Sequence, residues 1–288
     1  MKTYKYLSTL IIAFLISSLA IGQDLISAKE LAGKMNDDNV VVIDTRKTKD
    51  YNKTHIKGAI HLYQGELNND TPVKGTLKKP SELAAIFGKK GISEKNEIVL
   101  YCNKGTNAGR VYWVLKYMGA QNVKILDGQM KAWKAGRKPI TKTASTRKAT
   151  TFNKTLHKEY LARMSDVKKS INNASIVLID ARDLEEYNGT KEDDKDNLRK
   201  GHIPGAISIP KSNLVDSKSK LKSKDALASI FNDAGVTADK NVIIYCKSSS
   251  RAGLEFMALT SVLGYKNVKV YDGAFYEWES IAANEVVK

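Results

Sequence analysis

Two cysteines, Cys102 and Cys246, are the strongest nucleophiles this sequence offers, and each directly follows an apolar run ending in tyrosine. Behind Cys246 comes the polar stretch Lys247-Ser248-Ser249-Ser250-Arg251, and a helical pattern begins near Ala252. A short polar loop between strand and helix can curl so that successive backbone N–H groups face one point, and the helix start adds partial positive charge. A sulfur held there is favoured as thiolate, so its pKa is expected to fall below the ~8.5 of free cysteine. Lys247 and Arg251 are expected to reinforce this. No histidine lies near Cys246 in sequence, so the loop itself must create the nucleophile. Cys102 is followed by Asn103-Lys104-Gly105-Thr106-Asn107-Ala108, with Asn107 where the other loop has Arg251. The run from Cys102 to Gly119 is one residue shorter than that from Cys246 to Gly264, and the loop is the expected place of the difference.

The elements that position these thiols occur twice. Val40–Arg46 matches Ile176–Arg182, Thr54–Ile60 matches Gly201–Ile207, and Ile98–Cys102 matches Val242–Cys246. Asn122–Gly128 matches Asn267–Gly273, each followed by a tryptophan, Trp133 and Trp278. Four blocks in one order indicate a duplicated domain. Residues 40–43, 98–101, 123–126, 176–179, 242–245 and 268–271 read as buried strands. Between them Ser81–Phe87 and Lys224–Phe231 are amphipathic, with Ser81 and Asp225 as expected N-caps. This alternation predicts an α/β fold, each copy a mostly parallel sheet flanked by helices on both faces. In open α/β sheets reactive groups gather beyond the carboxyl ends of the strands, where both cysteines fall. The expected division is a first domain over 23–140, a linker over 141–155, and a second, catalytic domain over 156–288. A charged insertion between Tyr187 and Gly201 reads as a surface loop, either functional or an excursion without a role.

Lys2 and Lys5 precede the apolar run Leu7–Ile21, and Ala20-Ile21-Gly22 provides small residues before a cut. Residues 1–22 therefore read as a secretory signal peptide rather than an anchor, because the run is short of the ~20 residues that span a bilayer. The expectation is a periplasmic or secreted protein with no membrane association after cleavage. The formal charge of +16 is strongly basic. Its lysines are scattered rather than blocked, so nucleic acid is not an expected partner, whereas small anions would be drawn to a cleft. Two dispersed cysteines and four histidines give no metal pattern, and no C-x-x-C pair suggests dithiol redox chemistry. An exported chain with two cysteines could form a disulfide.

The repeat is similar to the rhodanese domain, and the chain resembles the tandem thiosulfate/3-mercaptopyruvate sulfurtransferases. The motifs are Asp180-Ala181-Arg182, Gly201-His202-Ile203-Pro204-Gly205-Ala206, Tyr245–Ala252, and Tyr271-Asp272-Gly273 followed by Glu277-Trp278. The resemblance implies a two-domain rhodanese fold with the second copy active and no cofactor. Cys246 would carry sulfur as a persulfide, from thiosulfate to cyanide or a thiol, in a protein expected to act as a monomer. It implies substrate contacts from Arg182, Lys247, Ser248, Ser249, Ser250 and Arg251, with a salt-bridge brace as the alternative for Arg182. Cys102 with Arg46 is then a possible second sulfur site, a partner for Cys246, or a relic. Many loops of this family carry glycine at the position of Ser249. Mercaptopyruvate enzymes of the family pair the first arginine with a second, but here Glu185, Glu186, Asn188 and Lys191 follow Arg182, which favours thiosulfate. A phosphatase would have five residues between cysteine and arginine; four separate Cys246 from Arg251. A persulfide carrier or binding module without turnover is the remaining rival. His55, His202, Trp133 and Trp278 read as local or core residues, and Asp44, Asp127, Asp180 and Asp272 as anchors for turn N–H groups.

Overall fold

The computed structural model describes residues 24–192, 196 and 198–288. The expected signal peptide, residues 1–22, lies outside the described residues. The first unit runs β1 (Leu25–Ile26), α1 (Ala28–Lys34), β2 (Val40–Asp44), α2 (Thr48–Lys53), β3 (His55–Ile56), β4 (Ile60–His61), α3 (Pro80–Lys89), β5 (Glu97–Tyr101), α4 (Thr106–Tyr117), β6 (Asn122–Leu126), α5 (Gln129–Ala135) and β7 (Ile140–Thr141). The second runs β8 (Leu161–Ala162), α6 (Met164–Ser170), β9 (Ile176–Asp180), α7 (Leu184–Tyr187), β10 (Ala206–Ser208), α8 (Lys224–Asp233), β11 (Asn241–Tyr245), α9 (Ala252–Met257), β12 (Val268–Tyr271) and α10 (Ala274–Ser280).

Each unit builds a five-stranded sheet, ordered β1-β6-β5-β2-β4 and β8-β12-β11-β9-β10, with every pairing parallel. The cysteine-bearing strands β5 and β11 are central in both. Because side chains alternate along a strand, Val41, Ile43, Ile98 and Leu100 enter one core while Val40, Val42, Val99 and Tyr101 enter another. The former core is shared: Ile179, Val242, Ile244, Leu254 and Phe256 of the second unit join it. The two units thus close over one apolar interior, and each keeps a private core on its outer face.

Helices α4 and α9 meet at the centre of that interior. A Cβ on Gly253 would stand 2.3 Å from the carbonyl oxygen of Gly109, and one on Gly109 would stand 2.5 Å from the amide nitrogen of Leu254. Only glycine permits such an approach of two backbones. Both glycines lie seven residues past their cysteine. The extra residue of the second copy is therefore not in the loop, as the sequence suggested. It is absorbed beyond α9 by a π-helical turn, Ala258–Val262, closed by a Leu263 N–H to Ala258 C=O bond of 3.0 Å.

Other differences from the sequence reading are local. Both N-caps fall two residues before the positions read: Lys79 rather than Ser81 precedes α3, and Ser223 rather than Asp225 caps α8, accepting from the Ala226 N–H at 3.3 Å. The short strands β1, β4, β7, β8 and β10 were too brief to read as periodic runs. Thr141, expected in the linker, pairs in β7 with His55 of β3. The rest of the linker lies along the first unit: Ser145 N–H donates to Tyr51 Oη, Asn153 N–H to Glu94 Oε2, and Thr155 N–H to Met118 C=O, all within 2.9–3.0 Å.

Candidate active site

The strand β11 delivers Cys246 to the sheet's carboxyl edge, and α9 begins at Ala252. Between them the chain turns back until the Arg251 N–H points at Cys246 Sγ, 3.3 Å away. The turn is fixed from below by α10, whose Phe275 and Tyr276 N–H groups donate to the carbonyls of Cys246 and Lys247 at 2.9 and 3.2 Å. Ser249 occupies the left-handed position with φ 58°, which accounts for glycine being acceptable there. Its buried hydroxyl offsets the strain by donating to the carbonyls of Tyr271 and Asp272, the latter at 3.1 Å. The Ser249 side chain is thus a buried tether of the turn. Ser248 and Ser250 hydroxyls lie 3.4 Å apart and remain partly exposed.

The Cys102 turn is tighter. Its sulfur accepts from the Gly105 N–H at 3.1 Å, three residues on rather than five, and α4 starts at once with Thr106. Its amide is held by Gln129 Oε1 at 2.8 Å. Both cysteines are free thiols in separate turns, so the disulfide alternative is not what the structure contains.

The expected cations are present at the Cys246 turn, but each faces a carboxylate. Arg251 is forked on Glu186 at 2.5 and 3.0 Å and reaches Asp183 at 3.1 Å. Burial alone would raise the Glu186 pKa, but the Arg251 hydrogen bonds and charge overcome it and hold the carboxyl at about 2. Lys247 pairs with Asp196 at 2.7 Å. Asp196, from the charged insertion, also receives Lys74 at 2.9 Å and the Tyr276 hydroxyl at 2.7 Å, so the insertion is tied to this turn. Residues 193–195 and 197 lie outside the described residues. Arg182 takes the bracing arrangement: its guanidinium is forked on Asp180 within 2.6–3.0 Å, donates to Gly201 C=O at 2.7 Å, and stacks 3.9 Å over Phe275. Arg46 makes the same bracket with Asp44 and Thr54 C=O. The same bracket is thus repeated in both units.

Several contributors were not foreseen from sequence. The first unit roofs the second unit's turn. A Cβ on Gly75, where φ is +88°, would sit 2.9 Å from Ser248 Cβ, and Gln64 Oε1 lies 3.5 Å from the Ser250 hydroxyl. Reciprocally, Lys211 of the second unit donates to Lys104 C=O in the Cys102 turn at 3.2 Å. Asp272 and Asp127, expected to fix their own turns, also cross between units, accepting the Leu77 and Leu221 N–H groups at 2.9 and 3.1 Å, while Asp127 keeps the Gly128 N–H of its own turn. Glu255 of α9 is fully buried with neither carboxyl oxygen hydrogen-bonded among the described residues. Burial, then the charges of Cys246 and Asp180, push its pKa well above the carboxylate range, so it is held as the neutral acid. His55 bonds the Tyr51 carbonyl four residues back and also the Thr143 carbonyl 88 residues on, His202 bonds Tyr187 C=O, and Trp133 and Trp278 are core residues. Among the described residues no cluster of potential metal ligands is found.

Twin parallel sheets, each presenting a cysteine in an amide-bearing turn at its carboxyl edge, define a duplicated α/β protein with one candidate thiol site in each unit. The rhodanese-like domain matches this chain twice, over residues 27–136 and 163–281. A Mycobacterium leprae protein named for thiosulfate sulfurtransferase is 31% identical over 266 residues, covering 89% of this chain and 95% of its own. The 3-mercaptopyruvate sulfurtransferase of Escherichia coli K12 is 30% identical, covering 88% and 94%. The crystal structure of SseA from Escherichia coli, a 3-mercaptopyruvate sulfotransferase, superposes with a TM-score of 0.80 at 28% identity, covering 88% and 99%. EanB bound to ergothioneine shares the fold at TM-score 0.84 and 20% identity, covering 92% of this chain and 70% of its own. The chain belongs to the rhodanese family and is a tandem-domain sulfurtransferase.

Proposed function

We propose that Cys246 takes the outer sulfur of thiosulfate as a persulfide and passes it to a thiol or to cyanide. The thiolate attacks the sulfane sulfur, the bond to the sulfonate breaks, and sulfite leaves with the electron pair. The acceptor's thiolate or cyanide carbon then attacks the outer sulfur, and Cys246 leaves as thiolate. The observation carrying this reading is the wider turn at Cys246, closed five residues on by the Arg251 amide, against three at Cys102. A ring closed further along the chain suits a sulfur that must accept a second sulfur atom, which supports Cys246 as the working thiol. Lys247, Ser248, Ser250 and Arg251 form the partly exposed rim at which an anionic donor arrives. Thiosulfate is favoured over mercaptopyruvate because Glu186 stands close behind Arg182 and occupies Arg251, leaving no arginine pair free for a carboxylate and its neighbouring ketone. Mercaptopyruvate is the second reading, supported by the relatives that carry that name.

A thiosulfate:cyanide assay beside a mercaptopyruvate assay tests it, with the wild type, Cys246→Ser and Cys102→Ser. Expected are faster turnover of thiosulfate, loss of activity to background in Cys246→Ser, and activity retained in Cys102→Ser. Equal losses in both variants overturn the assignment of the working thiol, and faster turnover of mercaptopyruvate overturns the donor. Export belongs to the same proposal: the secreted protein should have the intact mass of a chain beginning at Gln23, and a mass that includes Met1 refutes it.

A further inference from the structure

Three cations of the second unit at the Cys246 turn are each matched by a carboxylate: Arg251 by Glu186 and Asp183, Lys247 by Asp196, Arg182 by Asp180. Burial, then the charge of Cys246, pushes the pKa of Glu255, a further acid coupled to the sulfur, well above the carboxylate range. One amide is the sole hydrogen-bond donor to Cys246 Sγ among the described residues. A sulfur that is 1% exposed and must carry negative charge needs more than this.

The first unit supplies a candidate. Arg110 on α4 is fully buried, and its Nη2 donates to Asn68 Oδ1 at 3.0 Å, Gly75 C=O at 2.7 Å and Asp272 Oδ1 at 3.1 Å. Two of these acceptors touch the Cys246 turn themselves: Gly75 lies against Ser248, and Asp272 C=O receives the Ser249 hydroxyl. The guanidinium's Nε and Nη1 have no hydrogen-bond partner among the described residues. The guanidinium carbon lies 4.9 Å from the centre of the Trp113 ring. Burial drags the Arg110 pKa down, and the charges of Asp272 and Cys246 pull it back up. A buried guanidinium with two empty donors and one shared carboxylate is an unfinished ion pair.

We propose that Arg110, carried by the first unit, is the buried cation that keeps the Cys246 sulfur anionic, as thiolate and as persulfide, so that the second unit's chemistry depends on a charge lent across the interface. Arg110 is a positioning residue acting through the field at the sulfur. The proposal rests on Cys246 being the sulfur-carrying thiol, as argued above.

The test uses the full chain carrying Cys102→Ser, so that one thiol remains, and follows iodoacetamide alkylation of Cys246 from pH 5 to 10. Arg110→Met should raise the midpoint of that profile by about one pH unit, cutting alkylation below the midpoint about tenfold. Arg110→Lys, which keeps a cation, should recover much of the difference. Asp272→Asn removes the competing carboxylate and should move the midpoint the opposite way, downwards. If Arg110→Met does not fold, Arg110→Lys and Asp272→Asn keep the test open: a midpoint raised in Arg110→Lys as far as expected for loss of the cation, or unmoved in Asp272→Asn, overturns the proposal. A midpoint that stays put in folded Arg110→Met, or moves the same way in it and in Asp272→Asn, overturns the proposal. The readout needs no turnover: a wild type inactive on thiosulfate would sink the proposed donor while leaving the alkylation result to stand.

Discussion

Replacing Glu186 with glutamine keeps the side chain's size and removes the charge that faces Arg251. The Glu186 carboxyl is held at about 2 against an ordinary 4.5, a difference of about 2.5 pH units. At 1.36 kcal/mol per unit, its ionisation contributes about 3 kcal/mol to folding at neutral pH. Because the folded-state value is depressed, that contribution is complete above pH 4.5 and is lost as pH falls towards 2. Glu186→Gln should therefore unfold about 3 kcal/mol more easily than the wild type at pH 7, a fall of about 6–12 °C in Tm for a chain of this size. At pH 3 the gap should shrink to about 1.4 kcal/mol, since most of the linkage has then been titrated away. Chemical denaturation followed by tryptophan fluorescence measures both, as Trp113, Trp133 and Trp278 are all buried. A gap under about 1 kcal/mol at pH 7, or one that is equal at pH 7 and pH 3, would refute the claim that this pair outweighs its own desolvation.

Glu255 has the opposite sign: folding favours its protonated form, so stability drops as pH rises above 4.5 and the unfolded carboxyl ionises. Glu255→Gln should match the wild type in Tm near pH 4.5 and exceed it increasingly up to pH 8; a pH-independent difference would show that the carboxyl is not held neutral. Gly253→Ala forces a methyl into the carbonyl of Gly109 and should cost about 1–3 kcal/mol in an unfolding titration. Gly33→Ala, whose Cβ meets nothing within 4 Å, is the control and should stabilise α1 by up to about 1 kcal/mol. Equal behaviour of the two glycines would mean the α4–α9 crossing is less tight than described.

The doubled α/β architecture was legible because four blocks recur in order and their apolar runs are long enough to show a period. The edge strands were not, since a pair such as Leu25–Ile26 carries no pattern and is recruited by the register of β6. At the site, the thiol and its turn could be read from the residues between β11 and α9. The pairing of Lys247 and Arg251 with acids could not, because Asp196 and Glu186 lie more than fifty residues away in sequence and the fold alone brings them back. Arg110 and Glu255 did leave a trace. Each is a lone charge within an apolar helical run, Ala108–Trp113 and Ala252–Met257, and such residues are seldom buried without a purpose. Which unit Arg110 would serve was beyond sequence, since its acceptor Asp272 stands 162 positions away.

The roofing of each cysteine turn by the opposite unit means that neither half owns its own ceiling. Two separate copies of one ancestral half, docked about the same axis, would have sheltered each other identically. Fusion into a single chain released them from that equality. Gln64 now lies against the Ser250 hydroxyl of one turn and Lys211 against the Lys104 carbonyl of the other, so the surroundings of either turn can be altered from the opposite half.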